Sequence, residues 1–155
     1  MMTPEGDAPS LTKRFAVEPD GMLGVEYTLH STRARMGMLT VELNLGLHVP
    51  DAPDRFVEVD GVRAEPPHFG ARVRHAMVTR LAFVDAWADR RLEVWADRPA
   101  IVDRAPIETV SLSEAGAERI FQGIEVRFGL AVAIEAGAPW RARFRLAPGR
   151  AGAAA

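Results

Sequence analysis

The chain alternates apolar and polar residues with a period of two over most of its length. Residues 23–30 place Leu, Val, Tyr and Leu on one face, and residues 39–47 repeat the pattern with aliphatic side chains. The longest alternation covers residues 124–134, and a last one covers residues 140–146. Because successive side chains of a strand point to opposite faces, this pattern predicts half-buried β-strands.

Turn residues separate these segments at short intervals. Asp20-Gly21 and Asp60-Gly61 are typical of tight β-hairpins, and the second pair is flanked by apolar residues. Ala88-Asp89-Arg90 predicts a further turn between strands at 77–87 and 92–96. The spacing of strands and turns therefore predicts hairpins along most of the chain.

One polar segment, residues 113–121, departs from the alternation. Ser111 and Glu114 have the spacing of a helix capping box. Gly116 and Gly123 leave too little room for a helix of packing length. We therefore predict a loop with at most one helical turn.

Many short strands and no helix of packing length favour an all-β fold. A single sheet would leave one face of each half-buried strand unprotected, whereas two packed sheets bury their inner faces about 10 Å apart. We therefore predict an antiparallel β-sandwich. We expect this domain over residues 11–147, with a disordered segment at 1–10 and a disordered, alanine-rich tail at 148–155.

The composition of the chain argues against nucleic acid and membranes as binding partners. The formal net charge is -2 and Lys13 is the only lysine, so the chain lacks the basic surface that binds nucleic acid or an anionic membrane. No apolar run approaches the ~18 residues of a membrane span. Residues 1–10 lack the basic and apolar regions of an export signal. We therefore predict a soluble, cytoplasmic chain that binds neither nucleic acid nor membrane.

The sequence contains no recognisable catalytic or cofactor motif. The absence of cysteine excludes disulfides, thiolate zinc sites and cysteine nucleophiles. His30, His48, His68 and His75 do not form the i, i+2 or i, i+4 pairs typical of metal sites. Glycine-rich phosphate loops and the G-x-S-x-G elbow are also missing. We therefore predict no catalytic residue, no metal and no cofactor.

The three tryptophans fall into two groups. Trp87 and Trp140 occupy apolar registers and are predicted to lie in the core. Trp95 shares its face with Glu93 and Asp97, so it is predicted to point outward. An outward indole can stack on a sugar ring, cover another protein surface, or stand exposed without a ligand. The sequence leaves these three interpretations open.

A dense polar segment lies between two predicted strands. Residues 106–123 read PIETVSLSEAGAERIFQG. They resemble the motif P-I-E-T-V-S-Q-S-E-x-G-[FY]-E-x-[IV]-[FY]-Q-G near the end of the C-terminal β-sandwich of 4-α-glucanotransferases and related α-amylases of glycoside hydrolase family 57. VELNL at 41–45 and VDAW at 84–87 are similar to the same domain. The chain departs from the motif at Leu112, where the family has glutamine, and at Ala117, where it has an aromatic residue.

The resemblance covers residues 14–146 and implies a galactose mutarotase-like, carbohydrate-binding sandwich that packs on a catalytic barrel. In such enzymes the catalytic carboxylates lie in the barrel, and this chain has no β-α-β alternation that would build one. We therefore expect a non-catalytic accessory domain of α-glucan metabolism, corresponding to a C-terminal portion of the family domain. Its expected partners are an α-glucan or the catalytic barrel of a glycoside hydrolase, and unpaired strand edges favour a homodimer.

Seven residues are candidates for contact with carbohydrate or with a catalytic domain. The alternative for the polar ones is that their hydroxyls and carboxylates satisfy each other and nearby backbone amides, which would fix the loop. An alternative function is that of a mutarotase-like sugar epimerase, in which His75 or His48 would act with a strand carboxylate. The seven candidates are Trp95, Glu108, Ser111, Ser113, Glu114, Glu118 and Gln122.

Overall fold

The computed structural model describes residues 8–113 and 116–152, and within them every regular element is a β-strand. Alternating aliphatic, β-branched and aromatic residues favour extended backbone over helix. No helix in this part of the chain is long and apolar enough to span a membrane. The strands are β1 (Ser10–Val17), β2 (Leu23–His30), β3 (Arg35–Leu45), β4 (Arg55–Val59), β5 (Val62–Arg63), β6 (Val73–Asp85), β7 (Arg90–Ser113), β8 (Gly116–Ile134) and β9 (Trp140–Gly149).

The strand pairings are antiparallel and form one hydrogen-bonded network in the order β1-β2-β9-β7-β6-β4-β5. A branch leaves this order at β7, which also pairs with β8, and β8 pairs in turn with β3. The branch exists because residues 91–96 of β7 pair with β9, whereas residues 101–113 pair with β8. The network therefore folds into two layers: a first sheet containing β9, and a second sheet containing β3 and β8.

β6 and β7 bend where they pass from one layer to the other. In β6 the register with β7 shifts between His75 and Arg80, and Met77 has a positive φ of 60°. In β7 the crossing lies at residues 97–99, where Pro99 has no N–H to donate to a ladder. Because irregularities of this kind bend a strand, they allow β6 and β7 to belong to both sheets.

The inner faces of the two sheets enclose one hydrophobic cluster of the described residues. Phe128 of β8, in the second sheet, meets Phe144 of β9, in the first, edge to face with ring centroids 5.3 Å apart. Tyr27 of β2 also packs on Phe144, at 5.9 Å. Along β8 every second residue from Ile124 to Ile134 is buried, as the alternation predicted. The all-β sandwich prediction is confirmed.

Of residues 113–121, predicted to be a loop, Ser113 and residues 116–121 instead belong to the β-strands β7 and β8, and residues 114–115 lie outside the described residues. The two strands pair residue by residue from Glu108–Phe121 to Ser113–Gly116. The prediction was wrong because the Thr and Val at 109–110 favour extended backbone, and the facing strand satisfies backbone groups that a helical turn would otherwise use. We call residues 107–113 and 116–123 the arm.

Candidate functional site

The arm extends beyond the rest of the sandwich. The ladder of β3 with β8 ends at Ile124 and that of β6 with β7 ends at Arg104, so among the described residues neither edge of the arm has a neighbouring strand. Three apolar side chains of the arm stand in solvent: Val110, Leu112 (84% exposed) and Ile120. A two-stranded projection with free edges and exposed aliphatic side chains is typical of a surface that associates with another protein.

Five of the seven predicted contact residues belong to the arm. Arg119 donates to Glu108 and Gln122 donates to Thr109, each at 3.3 Å and in solvent. These two contacts join side chain to side chain across the two strands of the arm. The five are Glu108, Ser111, Ser113, Glu118 and Gln122, whereas Glu114 lies outside the described residues.

An open groove lies at the base of the arm. Pro50 and Gly70, from the loops that follow β3 and β5, line one side, and Glu108 and Phe121 of the arm line the other. The Gly70 amide donates to the Pro50 carbonyl at 3.0 Å, which holds the two loops together. Because residues of the arm line one side of the groove, the groove adjoins the arm.

Trp95, another of the predicted contact residues, lies on the outer face of the first sheet. Its neighbour Val94 points into the core. The Arg80 guanidinium lies over the indole, 5.7 Å from the ring centroid, and Trp95 is consequently half-buried. One face of this ring is therefore already occupied by a side chain of β6.

Glu93 is 4% exposed although it shares that outer face. It accepts hydrogen bonds from Arg80 at 2.5 Å and from Arg91, and Arg91 also donates to Glu58 at 2.6 Å. Burial by itself would raise the pKa of Glu93, but the two arginines lower it overall. We call Glu58, Arg80, Arg91 and Glu93 the outer-face ion cluster, which links β4, β6 and β7.

Trp140 is 9% exposed and lies in the core as predicted, but the same prediction was wrong for Trp87, which is 76% exposed. The ladder of β6 with β7 ends where Asp85 faces Arg90, so Trp87 lies in the connecting turn. Alternate residues point to opposite faces only within a strand, so the apolar register of Trp87 did not indicate burial in a turn. An exposed aromatic residue in a turn is a functional candidate that sequence reasoning missed, although the turn signal at 88–90 begins next to it.

His75, the histidine considered for acid–base chemistry, faces a cation. Its Nε2 lies 3.4 Å from the Arg104 guanidinium, and burial together with the charge of Arg104 lowers its pKa. Arg104 is buried, donates to the Pro66 carbonyl at 3.0 Å, and has its pKa lowered by burial to about 10. Arg104 thus anchors the loop after β5, and His75 beside it favours the neutral form. In the described part of the chain, no three His, Asp or Glu side chains converge on a metal position.

Comparison with known proteins agrees with this architecture. The family described as alpha-amylase/4-alpha-glucanotransferase, C-terminal, matches residues 1–144. Over 105 residues, or 67% of its length, the chain is 31% identical to Alpha-amylase 1 of Dictyoglomus thermophilum and spans 14% of that protein. The crystal structure of 4-alpha-glucanotransferase from Thermococcus litoralis is similar with a TM-score of 0.60 at 19% identity, covering 88% of this chain and 18% of that one. The structural similarity shows a shared fold.

The family match includes the arm and most of both sheets. The resemblance drawn from the motif at 106–123 is therefore confirmed at the level of the family. The chain spans only a small fraction of the two relatives it matches. It belongs to the family of alpha-amylase/4-alpha-glucanotransferase C-terminal domains.

Proposed function

We propose that this chain is a non-catalytic accessory domain of α-glucan metabolism that packs, through the arm, on the catalytic part of an enzyme of the α-amylase or glucanotransferase type. The proposal rests on the small part of each relative that this chain covers, which is 14% of the amylase and 18% of the glucanotransferase chain. Most of each relative lies outside the matched region and has room for the catalytic groups.

The chemistry of the arm supports a protein as its partner. Opposite residues of an antiparallel ladder share a face and successive residues alternate, so Val110 and Leu112 lie on one face and Ile120 lies on the other. A partner that covers both faces has to receive the arm in a cleft. The free edges add backbone donors and acceptors with which a strand of the partner can pair.

The carboxylates of the sheets support a structural rather than a catalytic role. Burial would raise the pKa of Asp85 and of Glu93, but hydrogen bonds from amides and arginines lower both overall. Two hydrogen bonds from Arg74, at 2.6 and 2.8 Å, lower the pKa of Asp103. A general acid needs a pKa raised toward neutrality, whereas these groups are held ionised.

An activity assay tests the non-catalytic half of the proposal. The purified chain, incubated with maltoheptaose, is expected to give neither hydrolysis nor disproportionation products above a buffer control. Products that persist through a second purification step, and that co-elute with the chain, would show that it is itself an enzyme.

Co-expression tests the packing half of the proposal. The chain is expected to co-purify with the catalytic part of an amylase- or glucanotransferase-like enzyme from the same genome. Leu112→Asp places a charge on the arm and is expected to abolish co-purification. Val62→Asp is the matched control, because Val62 is also exposed but lies in the β4–β5 hairpin. Equal behaviour of the two variants would contradict docking through the arm.

A further inference from the structure

The turn between β6 and β7 presents Trp87 to solvent on a fixed backbone. The Asp85 carboxylate accepts a hydrogen bond from the Ala88 amide at 3.0 Å. The Asp54 carbonyl accepts one from the Ala86 amide at 2.9 Å, and Asp89 accepts one from the Ala151 amide at 3.1 Å. The turn is therefore tied to β6, to the loop before β4 and to the segment after β9. The turn holds its backbone in place while Trp87 stays 76% exposed, and an aromatic ring presented in this way is available to a ligand.

One face of the Trp87 ring rests on a cation. The Arg55 guanidinium carbon lies 5.5 Å from the ring centroid, and the Arg55 side chain is only 12% exposed. Arg55 Nε donates to Asp85 Oδ2 at 3.0 Å, which fixes the plane of the guanidinium. Its two terminal amino groups have no acceptor among the described residues. The opposite face of the indole is open to solvent.

The chemistry of this corner fits a pyranose ring. A sugar presents an apolar C–H face bordered by hydroxyl groups, and a flat indole complements that face while charged side chains bond the hydroxyls. At the rim of the ring the indole N–H is a donor for a hydroxyl group, whereas Arg55 lies against the opposite face and is held there by Asp85. A site of this kind needs no deep cavity, because stacking uses one face of the ring.

We propose that Trp87, supported from behind by Arg55 and Asp85, forms a carbohydrate-binding platform for a glucose unit of an α-glucan. The sugar class rests on the proposed function, whereas the platform itself rests on the geometry of the turn. The site differs from Trp95, which is half-buried on the outer face of the first sheet, whereas Trp87 is 76% exposed.

The surroundings of Trp87 favour a sugar over a protein surface. The centre of a protein interface is depleted in charge and extends over many apolar residues. Trp87 stands as a single exposed apolar ring beside an ion pair, with the exposed Arg90 following the turn. The arm presents three exposed aliphatic side chains, and such a group of apolar residues, which favours a protein interface, does not surround Trp87.

Nuclear magnetic resonance gives the direct test. The three indole N–H signals of a ¹⁵N-labelled sample are assigned with Trp87→Phe, Trp95→Phe and Trp140→Phe, and maltoheptaose is then titrated. The Trp87 signal is expected to shift in a saturable manner, while that of the buried Trp140 stays in place. Trp87→Ala is expected to weaken binding by about tenfold or more with an unchanged melting temperature, because the side chain packs on little protein.

Two further variants separate stacking from general effects. Trp87→Phe keeps an aromatic face and is expected to retain part of the affinity. Val62→Ala, which removes an exposed side chain from a different hairpin, is expected to bind as the wild type does. Binding that survives Trp87→Ala, or a Trp87 signal that does not move with maltoheptaose, would overturn the platform.

The co-expression experiment distinguishes this failure from failure of the proposed function. Trp87→Ala is expected to co-purify with the catalytic part as the wild type does. Normal co-purification without any maltoheptaose binding would overturn the platform and leave the accessory function intact. Loss of co-purification in Trp87→Ala would assign the ring to the protein interface and also overturn the platform.

Discussion

The two halves of β8 belong to one strand and have opposite surroundings. From Ile124 to Ile134 every second side chain is buried, whereas in the arm Ile120 stands in solvent. Both halves are hydrogen-bonded to β7 through the same ladder. The difference is the layer opposite: the inner half faces β9 across the core, and the arm faces none of the described strands. Alternation thus identifies side chains that share a face, but it does not tell whether anything covers that face.

The largest effect is expected from breaking the buried half. Phe128→Ala removes a fully buried ring that touches Phe144, and it should lower the free energy of unfolding by about 3–5 kcal/mol. Urea denaturation followed by tryptophan fluorescence measures this loss. A cost below about 1 kcal/mol would mean that β8 and β9 do not enclose a packed core.

A second pair of variants compares a covered ion pair with an exposed one. Glu93→Gln removes a charge-assisted partner from the outer-face ion cluster and should cost about 1.5–3 kcal/mol. Glu108→Gln removes the exposed pair with Arg119 on the arm and should cost at most about 1 kcal/mol. Equal midpoints of urea unfolding for the two variants would contradict this ranking.

The same cluster should make stability depend on pH. The folded-state pKa of Glu93 lies below its ordinary value of 4.5, so its contribution is present above that value and is lost as pH falls through the folded pKa. Unfolding free energy should therefore decline between about pH 5 and pH 3, and less steeply in Glu93→Gln than in the wild type. Urea titrations across that range supply the comparison, and identical slopes would remove Glu93 as a cause.

The smallest effect is expected in the arm. Leu112→Ala removes a side chain that is 84% exposed, so the free energy of unfolding of the isolated chain should change by no more than about 0.5 kcal/mol. The measurement is the one used for Phe128→Ala. A cost above about 1 kcal/mol would show that the arm folds back on its own domain in solution.

The sequence was most informative where a strand has a covered face and a turn has strict backbone demands. β2, the inner half of β8 and β9 follow their predicted alternation because large apolar residues line one face, whereas polar, charged or small residues line the other. The predicted Asp60-Gly61 turn forms with φ of 49° and 84°, values that few residue types other than glycine, asparagine and aspartate accept. Each of these signals is local.

The predictions that differ from the structure share a different cause. β3 begins at Arg35 rather than at residue 39. Arg35 and Gly37 share a face with Leu39, but neither is apolar, so the alternation could not be recognised in this part of the strand. The hairpin form of the arm and the exposure of Trp87 depend on where a ladder starts and stops, which the partner strand decides. The motif at 106–123 located the arm, although the shape of the arm could not be derived from its residues.

The pairing of β2 with β9 and of β3 with β8 also affects the order in which the protein can be built. The strands that leave the ribosome first are completed by those that leave last, at 124–134 and 140–146. Until then, hairpins of consecutive strands such as β1–β2 and β6–β7 can form, but their apolar faces remain open to water. The sandwich therefore closes only after β9 has emerged, and a chaperone that binds extended apolar segments would act during that interval.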